Sequence, residues 1–243
     1  MDSAARRPPT IAEALALLGL VVVASVLGSP LSHIVGSPLL WVLTYQVALV
    51  GIPVALFVSA RRKDLRIAIG WPTPLAAIAS LALGASIALI NVGLVIPNLP
   101  FAGDGPVLLG SAFEAPLALI IATLIIVPAL VEECLFRGIV HSAFAAKSPL
   151  LGIVMSAFFF AGFHFSVAQM APLFFLGLAT GAVMTMRRNL ACPILVHAAN
   201  NAVVVALLIL GPKAALPWTA SAAAIVIAPI ALIGMRALGG RLR

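Results

Sequence analysis

The feature that constrains this chain most is a series of apolar runs, each close to the length that crosses a bilayer, repeated from one end to the other. They fall approximately at 11–28, 38–60, 74–96, 115–145, 150–165, 169–186, 190–210 and 216–236. A helical span needs ~20 apolar residues. The pattern therefore predicts an all-α, polytopic membrane bundle of about eight transmembrane helices. The connections are short, so residues 1–243 read as a single integral membrane domain. Composition agrees: 63% of the residues are hydrophobic, 9% are charged and the mean hydropathy is +1.21. A soluble domain carries about 25% charged residues, and this chain has too few to cover a water-facing surface.

The first run, Ile11 to Leu27, follows Arg6 and Arg7, as a secretory signal would. It is longer than a usual signal core, and no small-residue cleavage site follows, so it is expected to stay as the first span. Pro30, Pro38, Pro72, Pro74, Pro97, Pro149 and Pro217 fall at or near span ends, where a missing backbone donor is tolerated. Pro128 lies inside the fourth span and is expected to kink it.

Basic residues orient the bundle, because Lys and Arg concentrate on cytoplasmic loops. If eight spans alternate, Arg6, Arg7, Arg61, Arg62, Lys63, Arg66, Lys147, Arg187, Arg188, Arg236, Arg241 and Arg243 share one side. Both termini are then expected in the cytoplasm. Lys213 falls in an opposite loop, and Arg137 lies within a span. The net charge of +7 forms no continuous patch of the kind nucleic acid requires, and reads instead as contact with lipid headgroups. Of the two cysteines, Cys134 and Cys192, neither implies a disulfide framework, and both read as small buried hydrophobes.

Ionisable groups at bilayer depth are costly and by default suggest function. The fourth span carries Glu132, Glu133 and Arg137, with His141 one turn on. Glu133 and Arg137 are four apart, in the favourable order for an ion pair on one helix face. Glu132 is rotated about 100° away, free to face a cavity and act as a general base. A structural ion-pair cluster between helices is the alternative. In the fifth span Phe160 and His164 share a face, so an aromatic wall can flank the imidazole. In the seventh, His197 and Asn201 share a face and offer two donors suited to an oxyanion. Interhelical hydrogen bonding is the alternative for both, and for Asn200. On the helical rise, Glu132 lies about 22 Å and His164 about 25 Å from Lys147, and His197 about 14 Å from Arg188, which permits a shared depth. His33, in an expected external loop, Glu13 and Asn91 read as structural.

Together these segments resemble the CPBP family of intramembrane proteases, which includes the CAAX-processing Ras-converting endopeptidases and the bacterial Abi proteins. The family pattern of Glu-Glu-x-x-x-Arg, Phe-x-x-x-His and His-x-x-x-Asn/Asp is met in order by Glu132, Glu133 and Arg137, by Phe160 and His164, and by His197 and Asn201. The resemblance covers about residues 115–205, the expected catalytic core. It implies an intramembrane endopeptidase in the cell membrane, acting on a peptide or membrane-protein substrate. Glu132 and His164 would activate water, Glu133 and Arg137 would hold the helix geometry, and His197 and Asn201 would polarise the scissile carbonyl. Phe160 would border the substrate. Zinc stays open as a cofactor, with Glu132, His164 and His197 as three ligands and a free fourth position. Direct activation of water by the same trio stays open too.

Other intramembrane protease classes fit poorly. There is no His-Glu-x-x-His pair and no Gly-x-Ser-Gly, and Gly103-Asp104 has no partner aspartate in a span. A non-proteolytic scaffold or bacteriocin-immunity-type protein of the same fold is the main alternative function. Transport is disfavoured by the absence of an internal repeat.

Overall fold

The computed structural model describes residues 7–61, 70–98, 115–210 and 218–239. Arg6, Arg62, Lys63, Arg66, Gly103-Asp104, Lys213, Arg241 and Arg243 lie outside them. The described residues form helices and no strand. In chain order the helices are α1 (Ile11–Val35), α2 (Pro38–Ala60), α3 (Pro74–Val95), α4 (Leu117–Ala145), α5 (Pro149–Gly162), α6 (Val167–Arg187), α7 (Ala191–Leu210) and α8 (Trp218–Ala237). All except α5 are long and apolar enough to cross a membrane. The protein is a multi-pass membrane protein.

Local chemistry sets several starts. Thr10 caps α1 and exchanges hydrogen bonds with Glu13 in a capping box. Ser37 and Thr73 cap α2 and α3, each followed by a proline at the first helical position. The expected loop around His33 is instead a helical turn that extends α1.

Two departures from the expected spans shape the site. The expected fifth span, 150–165, is a helix of 14 residues that ends at Gly162. At 1.5 Å per residue it covers about 21 Å, against a hydrocarbon core about 30 Å thick. Beyond it His164 N–H bonds to the Ala161 carbonyl and Phe165 N–H to the Gly162 carbonyl. Phe165 takes a left-handed φ of 50°, a strained choice for a bulky residue. The chain thereby reverses into α6. Non-helical backbone at membrane depth is tolerated where it is buried in protein or lines a wet cavity.

The second departure is in α4. Ahead of Pro128 the helix widens into a π turn over Ala122–Ile126, where Val127 N–H bonds to the Ala122 carbonyl. Pro128 has no N–H to return to the Leu124 carbonyl four residues back. Asn201 supplies that donor from α7, its Nδ2 lying 3.1 Å from the Leu124 oxygen. A further π stretch, Cys134–His141, follows the two glutamates.

Close helix contact comes from small residues, as in other membrane bundles. A Cβ on Gly84 of α3 would fall 2.0 Å from the Val196 oxygen of α7. Gly177 and Gly181 of α6 sit over Ala157 and Ile153 of α5, with 2.7 and 3.2 Å left for a Cβ. Helix ends are tied in pairs: Arg61 to Glu13, Asn189 to the Gly70 backbone, and Arg187 to the Met235 carbonyl. Leu27, Ile34 and Ile233 lie exposed on the outside, whereas Gln46, Glu132, Glu133, Arg137, His141 and His197 are buried. Polar chemistry is turned inward, away from lipid.

Candidate active site

Glu132 and Glu133 lie at the end of the regular turn that follows Pro128. Adjacent helical positions point in different directions, and the two carboxylates meet different partners. Glu133 Oε1 accepts from Arg137 Nη1 at 3.1 Å and from His197 Nδ1 at 2.9 Å. Arg137 is fully buried, donates through Nη2 to the Gly177 carbonyl at 3.0 Å, and lies 4.7 Å above the Phe160 ring. That carbonyl belongs to the glycine that lets α5 and α6 approach, so the ion pair and the helix contact share one residue.

Glu132 is held differently. Its Oε1 accepts from Gln46 Nε2 at 2.6 Å. Its Oε2 is buried without a hydrogen-bond partner, 3.9 Å from His164 Nε2 and 3.9 Å from His197 Nε2. Both rings are oriented by their other nitrogen. His164 Nδ1 is 2.9 Å from the Phe160 carbonyl, and His197 Nδ1 faces the carboxylate that pairs with Arg137. Those partners only accept, so each Nδ1 carries a hydrogen. Each Nε2 is thereby turned toward Glu132.

Phe160 packs edge-on against His164 at 5.1 Å and His197 at 5.5 Å between ring centres. It is completely buried. The expected substrate contact at Phe160 is therefore replaced by a supporting one, because neighbours on all sides cover its ring. The surface near Glu132 belongs instead to a cleft of about 450 Å³ lined by Trp41, Tyr45, Gln46, Glu132, Phe163, His164 and Phe165, with Ser25, Val26, Ser29 and Val42. The turn after α5 forms part of it.

Asn201 is not brought to Glu132. Its Nδ2 donates to the Leu124 carbonyl and its Oδ1 accepts from Asn200. Both polar ends are engaged away from the cluster, so the oxyanion-donor reading of Asn201 has no support in this geometry; the demand created by Pro128 outranks it. His141 likewise stands apart, against Thr185 at 2.9 Å.

The zinc reading can be tested on distances. Donors at 2.0–2.1 Å from a tetrahedral zinc lie about 3.3 Å from one another. Both Nε2 atoms are 3.9 Å from the carboxylate oxygen, and among the described residues no group of three or more His, Cys, Asp or Glu side chains is arranged to hold a metal ion. Glu132, His164 and His197 do not fit a zinc site as placed.

Residues 114–203 match the family model described as type II CAAX prenyl endopeptidase Rce1-like. The match covers about a third of the chain. It is consistent with the CPBP family and runs from the start of α4 through most of α7. No curated protein and no solved structure matches the chain. The matched segment contains Glu132, Glu133, Arg137, His164, His197 and Asn201. Gln46 and the aromatic residues Trp41 and Tyr45 lie outside it, on α2. A lone amide in an apolar span, far from any motif, gave the sequence no signal to mark Gln46.

Proposed function

We propose that the protein is an intramembrane endopeptidase of the CAAX-protease type, hydrolysing a peptide bond with a water activated by Glu132. The observation that carries this reading is the bare Oε2 of Glu132, held 3.9 Å from two oriented imidazoles. That spacing suits one water. At about 2.8 Å from each of two atoms 3.9 Å apart, its oxygen subtends an angle of about 90°.

Glu132 Oε2, His164 Nε2 and His197 Nε2 are three acceptors, and a water donates only two hydrogens. One further proton must therefore sit on the cluster for every pair to be satisfied. A protonated imidazole supplies it and can donate to the carbonyl oxygen of the scissile bond as negative charge develops there. The water oxygen bonds to the carbonyl carbon while its proton passes to Glu132. The C–N bond then breaks, and Glu132 returns the proton to the leaving nitrogen, giving a carboxylic acid, which keeps the water's second proton, and an amine. Glu133 and Arg137 touch no reacting atom; they fix His197 and tie α4 to α6.

The expected cytoplasmic placement of the ends bearing Arg7, Arg61, Lys147, Arg187 and Arg236 is part of the same proposal, on the positive-inside bias. The test is to compare the proteins of membranes that hold the wild type with those holding Glu132→Ala. A membrane protein or peptide that accumulates uncut with Glu132→Ala, and is cleaved by purified wild type, supports protease action. Identical membranes, with no cleavage by the purified protein, would favour a scaffold or immunity role.

A further inference from the structure

Gln46 lies 86 residues before Glu132, on a helix outside the matched segment, yet it is the donor that holds the candidate base. It is 6% exposed and stands in the π-helical stretch Tyr45–Gly51 of α2, a local widening often found at functional sites. Because Glu132 Oε1 accepts, the amide nitrogen of Gln46 must face it. The amide oxygen then faces away, and this Oε1 is buried without a hydrogen-bond partner. Both Gln46 and Glu132 line the cleft. An acceptor left bare beside a cleft calls for a donor from whatever enters.

The hydrolytic reading says what enters. A peptide bond inside a helix is shielded, so cleavage within a membrane requires local unwinding, and each N–H released has no water to meet it. A site that takes such a segment must supply acceptors. We propose that Gln46 does two things: through Nε2 it is the positioning residue that aims Glu132 Oε2 at the imidazoles, and through Oε1 it accepts a backbone N–H of the unwound substrate beside the scissile bond. This rests on the proposed protease activity, and gives α2 a part in both catalysis and substrate alignment.

The test uses the full chain in liposomes and internally quenched apolar peptides, each paired with versions N-methylated at single amides flanking the cut. Gln46→Leu keeps an apolar side chain of somewhat smaller size and loses both polar atoms. Gln46→Glu keeps an acceptor oxygen and loses the amide donor. Misplacement of a reacting group by about 1 Å can cost 100-fold, so kcat is expected to fall about 100-fold in Gln46→Leu. Wild type is expected to discriminate about 10-fold against N-methylation at one amide, the effect of one lost hydrogen bond. Gln46→Leu should lose that discrimination, and Gln46→Glu should keep it while turning over slowly. Equal tolerance of N-methylation by wild type and Gln46→Leu overturns the acceptor role. A kcat for Gln46→Leu within about 3-fold of wild type, far short of that loss, overturns the positioning role.

A second measurement needs no turnover. The infrared carboxylate band of Glu132, isolated as wild type minus Glu132→Gln, should shift in the Gln46→Leu background. An unshifted band overturns the contact itself. If the band shifts but wild type cuts none of the peptides, the protease reading and the substrate half of this proposal fall together, and the contact stands.

Discussion

Two neighbouring carboxylates divide the cluster into a dry side and a cleft side. Around Glu133, Arg137 and His197 both donate to one oxygen, and Arg137 reaches on to the Gly177 carbonyl, with every participant buried. Around Glu132, a single donor from α2 holds one oxygen, and two imidazoles stand off from the other at 3.9 Å. Each carboxylate keeps one buried oxygen without a hydrogen-bond partner, so the difference lies in what each one faces: Glu133 is locked to a guanidinium, whereas Glu132 lines the cleft beside two imidazoles. A carboxylate paired with a buried guanidinium, away from the cleft, builds the bundle. One with an open oxygen facing two oriented bases can take a proton.

The contrast breaks most visibly on the dry side. Arg137→Met removes the guanidinium and leaves Glu133 as a buried charge without its cation, a change that costs about 3–5 kcal/mol. Unfolding of the purified protein in detergent should register that loss, and unchanged stability would show that Arg137 is dispensable to the fold. Next in size is Gly84→Val. Its side chain would enter the Val196 backbone, adjacent to His197, and overpacking of this kind costs about 1–3 kcal/mol. Turnover should fall with stability, because α7 carries His197.

Asn201→Leu sharpens the comparison further. If Asn201 only serves the carbonyl bared by Pro128, stability should drop by about 0.6 kcal/mol, the usual worth of an interhelical hydrogen bond in a membrane bundle. Turnover should then change less than about 10-fold, whereas loss of an oxyanion donor costs about 100- to 1,000-fold. A kinetic measurement alone separates the two roles. Smallest of all is Glu13→Gln. It removes the ion pair with Arg61 at the helix ends, and exposed pairs are worth about 0–1 kcal/mol. Neither stability nor turnover should move beyond that.

The motif residues of α4, α5 and α7 were legible because spacing on a helix determines which side chains share a face. Glu133 does meet Arg137, and the segments carrying Glu132, His164 and His197 do converge. What the sequence did not disclose depends on other helices. Asn201 shares a helical spacing with His197, but Pro128 on α4 draws it elsewhere. Phe160 flanks the His164 imidazole as their spacing predicts, yet its burial follows from Phe136 and Arg137 packing around it. α5 ends at Gly162 and the chain reverses at Phe165, a bulky left-handed residue that the apolar run 150–165 does not mark. Gln46 is the plainest case: its meaning arises only when α2 lies against α4, and nothing in a local window predicts that.

The measurement that bears most directly on the division of labour is a parallel assay of Glu132→Gln and Glu133→Gln, reading peptide hydrolysis and unfolding on the same preparations. Glu132→Gln is expected to fold like wild type and to hydrolyse about 100- to 10,000-fold more slowly, the range for removing a general base. Glu133→Gln is expected to lose stability first, since it strips the partner from a buried guanidinium. Sustained hydrolysis by a well-folded Glu132→Gln would contradict the account.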